Sequence, residues 1–394
     1  MAFSFSLAKT PSIYCGVGTL CEITGWLLNL KAQSVMLVIG SQSLRRMGKL
    51  NLVEEFITKS GASFKLVKSD GEPTVETVDD ITERFFGAGI DAVISVGGGS
   101  VIDLGKAVSA MLPYGNSVMD HLEGVGKGFA HPGVTLPYLA IPTTSGTGGE
   151  VSKNAVLSRV GPTGFKKSLR HDNFVPSAVI LDGDLLTSAD ASVTAACGMD
   201  AFTQLLEPYF STAASPMTDA IVWSGLEHLI PNLLPACGDS AHDPSVRLQM
   251  AYAALCSGIG LANAGLGIVH GLAGPIGGKH PIPHGVICGT LIASAQRQNW
   301  EALKQRAPEH PTIRRMARVG RMMPGGFDLK DDYAAVDHFT EVLENWVEML
   351  GIPRLGCFDI KYSDLDLIVQ ESSNRHNPIE LTDSEIRSLL ERRC

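Results

Sequence analysis

Asp91-Ala92-Val93-Ile94-Ser95-Val96-Gly97-Gly98-Gly99-Ser100-Val101-Ile102-Asp103-Leu104-Gly105-Lys106 decides the fold. Its first six residues are an apolar, β-branched run, three glycines end it, and a helix-like segment follows. Three further runs share this character. Residues 34–39 end in Gly40, residues 138–141 in Pro142 and residues 178–181 in Asp182. Helical spacing fills residues 50–60 and 77–87 between them. Continuously apolar strands separated by helices predict a parallel sheet covered on both faces. The expected architecture is doubly wound α/β, a Rossmann-like domain over residues 1–187.

Beyond residue 187 strand-like runs stop. Helical spacing takes over in 189–211, 217–234, 245–264, 283–300 and 332–350. Residues 188–394 therefore read as an all-α domain, with Ser188 expected to cap its first helix. A ligand cleft is expected between two such domains.

Composition narrows the function classes. The 394 residues are 44% hydrophobic and 19% charged, enough for two domains with real cores. A net charge of −9 without a Lys/Arg block argues against a nucleic-acid partner. Cys15, Cys21, Cys197, Cys237, Cys256, Cys288, Cys357 and Cys394 are scattered with no C-x-x-C, which fits free thiols in a reducing cytosol. The start Met1-Ala2-Phe3-Ser4-Phe5-Ser6-Leu7 lacks the pattern of a signal peptide, and the apolar stretch 251–269 reads as a buried helix. The expected location is cytoplasmic, with no membrane partner.

Two glycine-rich turns form a candidate nucleotide site. Gly97 to Lys106 places free amides and positive potential where a pyrophosphate sits, though the pattern is not G-x-G-x-x-G. Pro142-Thr143-Thr144-Ser145-Gly146-Thr147-Gly148-Gly149-Glu150 leaves another strand at the same sheet edge. A second constellation lies in the helical half. His270 and His284 stand fourteen apart among glycines and prolines, with Asp200 upstream. Two imidazoles and a carboxylate are a common ligand set for an open, catalytic divalent metal. A nucleotide site and a metal together suggest hydride transfer.

These runs resemble the iron-containing (group III) alcohol dehydrogenases. GGGSVIDLGKA, IPTTSGTGGEVSKNAV and the Asp…His…His set occur in that family's order, and the resemblance runs from Pro11 to Asn377-Pro378-Ile379. It implies a dehydroquinate synthase-like two-domain architecture, a nicotinamide cofactor, a divalent metal (Fe²⁺ or Zn²⁺) and a homodimer. It implies that Gly98, Gly99, Ser100 and Asp103 hold the pyrophosphate region, and that Thr143, Thr144, Thr147 and Lys166 contact the cofactor, with Lys167 as the neighbouring alternative. Ser41 stands where NAD-using relatives carry an acid. With Arg45 and Arg46 nearby it favours NADP over NAD.

Two departures from the family pattern matter. The resemblance implies ligands at Asp200, four residues on, His270 and His284, but the residue four on is Gln204. Either Gln204 completes the shell weakly or three ligands suffice, as in the related zinc glycerol dehydrogenases. The loss of an imidazole leaves iron or zinc open. Gly274 replaces a histidine near the nicotinamide and enlarges the pocket, and His280 is expected to relay a proton. Asp200, His270, His284 and His280 are thus the expected catalytic residues. The expected reaction is reduction of a small aldehyde, or oxidation of a primary alcohol. The alternatives are a metal-independent, maleylacetate-reductase-like enzyme and a dehydroquinate-synthase-like lyase.

Overall fold

The computed structural model describes residues 4–40, 43–161 and 164–394. Eight strands lie in the first half: β1 (Ser12–Gly16), β2 (Ser34–Gly40), β3 (Ser63–Ser69), β4 (Ala92–Gly97), β5 (Tyr138–Pro142), β6 (Asn154–Arg159), β7 (Phe165–Arg170) and β8 (Ala178–Asp182). Helices α1 (Glu22–Leu30), α2 (Ser43–Arg46), α3 (Leu50–Lys59), α4 (Val75–Phe85), α5 (Gly99–Met111) and α6 (Gly183–Leu186) connect and follow them. The rest of the described chain is helical: α7 (Ala191–Phe210), α8 (Pro216–Cys237), α9 (Pro244–Ala264), α10 (Ile268–Lys279), α11 (His284–Arg306), α12 (Pro311–Met322), α13 (Asp332–Met349), α14 (Leu365–Glu371) and α15 (Asp383–Glu391). None of these helices is singly long and apolar enough to cross a membrane.

Six strands form one parallel sheet in the order β1-β8-β5-β4-β2-β3. The apolar runs read from sequence are β2, β4, β5 and β8, which occupy its centre. Every residue of β4, β5 and β8 is buried, as strands covered on both faces must be. The edge strands β1 and β3 carry alternating exposure and escaped the sequence reading for that reason.

The antiparallel pair β6–β7 was also missed. Its Lys, Arg and Ser content carries a weak apolar signal. The helix start was misplaced by two residues. Asp190, not Ser188, accepts the Val193 amide at the head of α7. The Ser188 hydroxyl instead contacts the Leu185 carbonyl behind it.

The turns at the carboxyl ends of β4 and β5 meet. Gly97 pairs with Pro142, and the Thr143 amide donates to the Gly97 carbonyl at 2.9 Å. Gly148 adopts φ +61°, and a Cβ there would lie 2.6 Å from the Ala254 carbonyl and the Gly258 amide of α9. Only glycine permits this approach of the second turn to the helical half.

Candidate metal and cofactor site

One face of α7 builds the candidate metal site. Asp200, Gln204 and Glu207 stand at i, i+4 and i+7, so all three point the same way. That face is buried, which makes each polar group answerable for a partner.

Glu207 answers twice. Helix α10 begins at Gly267, which has no side chain to cap it. The Glu207 carboxylate accepts the Val269 amide at 2.8 Å, and Asn377 from the C-terminal segment accepts that of Ile268 at 3.3 Å. The second Glu207 oxygen lies 2.6 Å from His270 Nδ1. This holds the Nδ1–H tautomer and aims the Nε2 lone pair at Asp200, the usual arrangement behind a metal-binding imidazole.

Four donor atoms then converge. His270 Nε2 is 3.4 Å and His284 Nε2 3.7 Å from Asp200 Oδ1. Cys288 Sγ lies 3.7 Å from each Nε2. The four atoms all fall within 4.8 Å of one another. Asp200 Oδ1 is buried and accepts no hydrogen bond. A buried carboxylate oxygen that faces two imidazole nitrogens without a well-formed hydrogen bond fits a divalent cation.

Electrostatics at the site divides the two histidines. Burial holds His284 down to about 4, with Asp200 opposing and His270 assisting. For His270 burial also disfavours charge, but the Cys288 sulfur and the Glu207 and Asp200 carboxylates outweigh it and raise its pKa. Burial would raise Asp200, yet His284 and His270 bring it below its ordinary value. Burial pushes the Cys288 thiol up to about 12. A bound cation reverses this last effect, because a coordinating thiol is deprotonated outright.

Gln204 has other work. Its amide nitrogen donates to the Thr147 carbonyl at 2.7 Å and to Ser257 Oγ at 2.9 Å. A carbonyl only accepts, so the amide orientation is settled. Through its amide nitrogen the residue pins the second glycine turn to α7 and α9.

His280 also stands outside them. It ends α10, ten residues past His270, with a partly exposed ring. A Cβ on Gly274 would meet nothing within 4 Å, so that face of α10 is open space.

The structure brings the two glycine turns together. Positions for a Cβ on Gly98 and Gly99 lie 3.4 Å from Thr144 Oγ1 and 3.3 Å from Thr147 Oγ1. Ser100 is in the first turn of α5, and Thr143 is buried behind. Burial raises Asp103, on the next turn, to about 6, against the pull of Lys106.

Lys106 is a clasp that the sequence reading did not single out. It is fully buried, and its Nζ donates to the carbonyls of Gly149 (2.6 Å), Ser152 (2.7 Å) and Asn154 (2.8 Å). The helix behind the first turn thus holds the second turn in place.

Alternation along β7 separates the two lysines. Lys166 is half-buried and pairs with Glu72 at 2.6 Å, while Lys167 is exposed. The Lys166 side chain runs beside α10, where a Cβ on Gly277 would lie 3.6 Å from its Cδ. Ser41 lies outside the described residues, and Arg45 is exposed on α2.

Comparison with known proteins gives the family. Residues 10–183 match the model for iron-containing alcohol dehydrogenase, and residues 194–394 that for the C-terminal part of the same family. The chain belongs to the iron-containing alcohol dehydrogenase family. It is 30% identical to long-chain-alcohol dehydrogenase 1 of Geobacillus thermodenitrificans over 97% of this chain and 94% of that protein. It is 33% identical to an NADPH-dependent butanol dehydrogenase of Clostridium saccharobutylicum, over 96% and 95%. A crystal structure of 1,3-propanediol oxidoreductase superposes with TM-score 0.88 at 25% identity over the whole of both chains. As a member of the iron-containing alcohol dehydrogenases, the protein is an oxidoreductase acting on CH–OH groups, and enzymes of this family use NAD(P) and a divalent metal.

Sequence reasoning missed Glu207 and Cys288. Both were findable by spacing. Glu207 is seven residues past Asp200 on one helix, and Cys288 is four past His284 on another.

Proposed function

We propose that this alcohol dehydrogenase reduces small aldehydes with NADPH, and oxidises the matching primary alcohols, at a divalent-metal centre on Asp200, His270 and His284. The observation that carries this reading is the unpartnered, buried Asp200 Oδ1 facing two imidazole Nε2 atoms. When bound, the ion supplies Lewis-acid polarisation of a carbonyl oxygen.

The chain's own residues do the rest. The free amides at the head of α5, from Gly98, Gly99 and Ser100, receive the pyrophosphate. Thr143, Thr144 and Thr147 offer hydroxyls from the facing turn. Asp103 and Lys166 border the same cleft. Glu207 orients His270. Open space at Gly274 leaves room for the aldehyde's substituent. Water supplies the final proton, with His280 as the relay, and its partly exposed ring supports exchange with solvent.

The NADP preference rests on Ser41 in place of an acid and on the exposed Arg45. We further infer a cofactor-binding domain over 1–187 and a metal-binding domain over 188–394, a homodimer, and a cytosolic location. The eight free cysteines support a reducing compartment.

The test is NADPH oxidation by protein reconstituted with Fe²⁺ or Zn²⁺, against short neutral and anionic aldehydes, with and without chelator. We expect turnover that disappears on chelation and returns with the metal. Turnover that survives full removal of the ion would overturn the metal-dependent reading in favour of a maleylacetate-reductase-like one.

A further inference from the structure

The position that the family resemblance gives to a fourth imidazole holds Gln204, whose amide nitrogen is committed to Thr147 and Ser257. A donor of another kind stands close by. Cys288 is one helical turn after His284 on α11, is fully buried, and puts its sulfur 3.7 Å from both Nε2 atoms.

These distances match a coordination shell. Zinc takes imidazole nitrogen and carboxylate oxygen at about 2.0–2.1 Å and thiolate sulfur at about 2.3 Å, so the edges of a tetrahedron around it are about 3.3 Å for N···O and about 3.6 Å for N···S. The observed edges are 3.4 and 3.7 Å for N···O, and 3.7 Å for both N···S pairs. As hydrogen bonds, the sulfur contacts are long and weak. As the sides of a cage, these four edges have the lengths that one ion requires, and all four atoms lie within 4.8 Å of one another.

We propose that Cys288 Sγ is the fourth protein donor, making an Asp–His–His–Cys centre that selects zinc over iron. The inference rests on the reading that Asp200, His270 and His284 hold a divalent metal. As the ion binds, one metal–sulfur bond forms and the thiol proton leaves to solvent. A thiolate in place of an imidazole softens the shell and moves the preference toward zinc. Gln204 has become a strut, and the lost donor is supplied from α11 instead of α7.

X-ray absorption at the zinc edge of the intact, zinc-loaded protein tests this without any substitution. One sulfur at about 2.3 Å beside nitrogen and oxygen neighbours is expected. The cobalt(II)-loaded protein should show a thiolate-to-cobalt charge-transfer band in the near ultraviolet. Cys288→Ser should lose that band and bind zinc at least about 100-fold more weakly, while Cys197→Ser keeps the band. Bound zinc without a sulfur neighbour overturns the proposal and leaves the three-ligand metal reading standing. A sulfur signal that persists in Cys288→Ser overturns it too. Absence of one bound ion per chain overturns both.

Discussion

Glu207 shows how one buried side chain serves structure and chemistry together. It replaces the missing cap of α10 and holds the His270 ring through Nδ1. Glu207→Gln keeps an acceptor for the Val269 amide but weakens the hold on the imidazole. We expect metal affinity to fall by about 10–100-fold, with far-ultraviolet circular dichroism unchanged. Competition against a chromophoric chelator measures it, and an unchanged affinity removes Glu207 from the metal site. Restoring the family's histidine at position 204 is a different matter. Its ring cannot reproduce the amide's bonds to Thr147 and Ser257, so the turn loses its anchor.

At the scale of elements, the short 3-10 helix Gly149–Val151 is held on α5 by Lys106 and encloses Glu150. Burial raises the Glu150 carboxyl to about 7, against the pull of its own backbone amide and Lys106. A folded-state pKa above the unfolded value means that the native chain binds the extra proton. Its favourable contribution is therefore present below about pH 4.5 and is lost as pH rises through 7. Glu150→Gln removes this dependence. Between pH 5 and pH 8 the wild type should lose about 2–3 kcal/mol of stability relative to the variant. Urea unfolding of both at the two pH values checks this. Parallel curves for the two proteins would show that Glu150 is ionised throughout.

At the scale of the whole molecule, the cofactor turns are tied to the metal-bearing helices. Gln204 reaches from α7 to Thr147, and Gly148 rests against Gly258 of α9. Cofactor bound at α5 should therefore stabilise the helical half as well. A ligand at 100 times its Kd contributes about 2.7 kcal/mol. We expect NADPH to raise the unfolding temperature more than NADH at equal concentration. The reverse order would return the preference to NAD.

The sequence by itself determined the parts of this protein that depend on local chemistry. Apolar runs ending in glycine or proline announced β2, β4, β5 and β8, because a strand buried on both faces admits little else. The convergence of Asp200, His270 and His284 was anticipated because candidate metal ligands are of few kinds, and the meeting of the two glycine turns because close backbone approach excludes side chains. Only the tertiary structure decided what depends on distant partners. The strand order rests on nonlocal hydrogen bonds that leave no periodic mark, and the β6–β7 hairpin is too polar to announce itself by apolar runs. The use of Gln204 was decided by a carbonyl 57 residues away and a hydroxyl 53 residues away. Glu207 and Cys288 sat at readable helical spacings, but a carboxylate or a thiol on a buried face acquires its role from what packs opposite. Folding brought His270 to both of them.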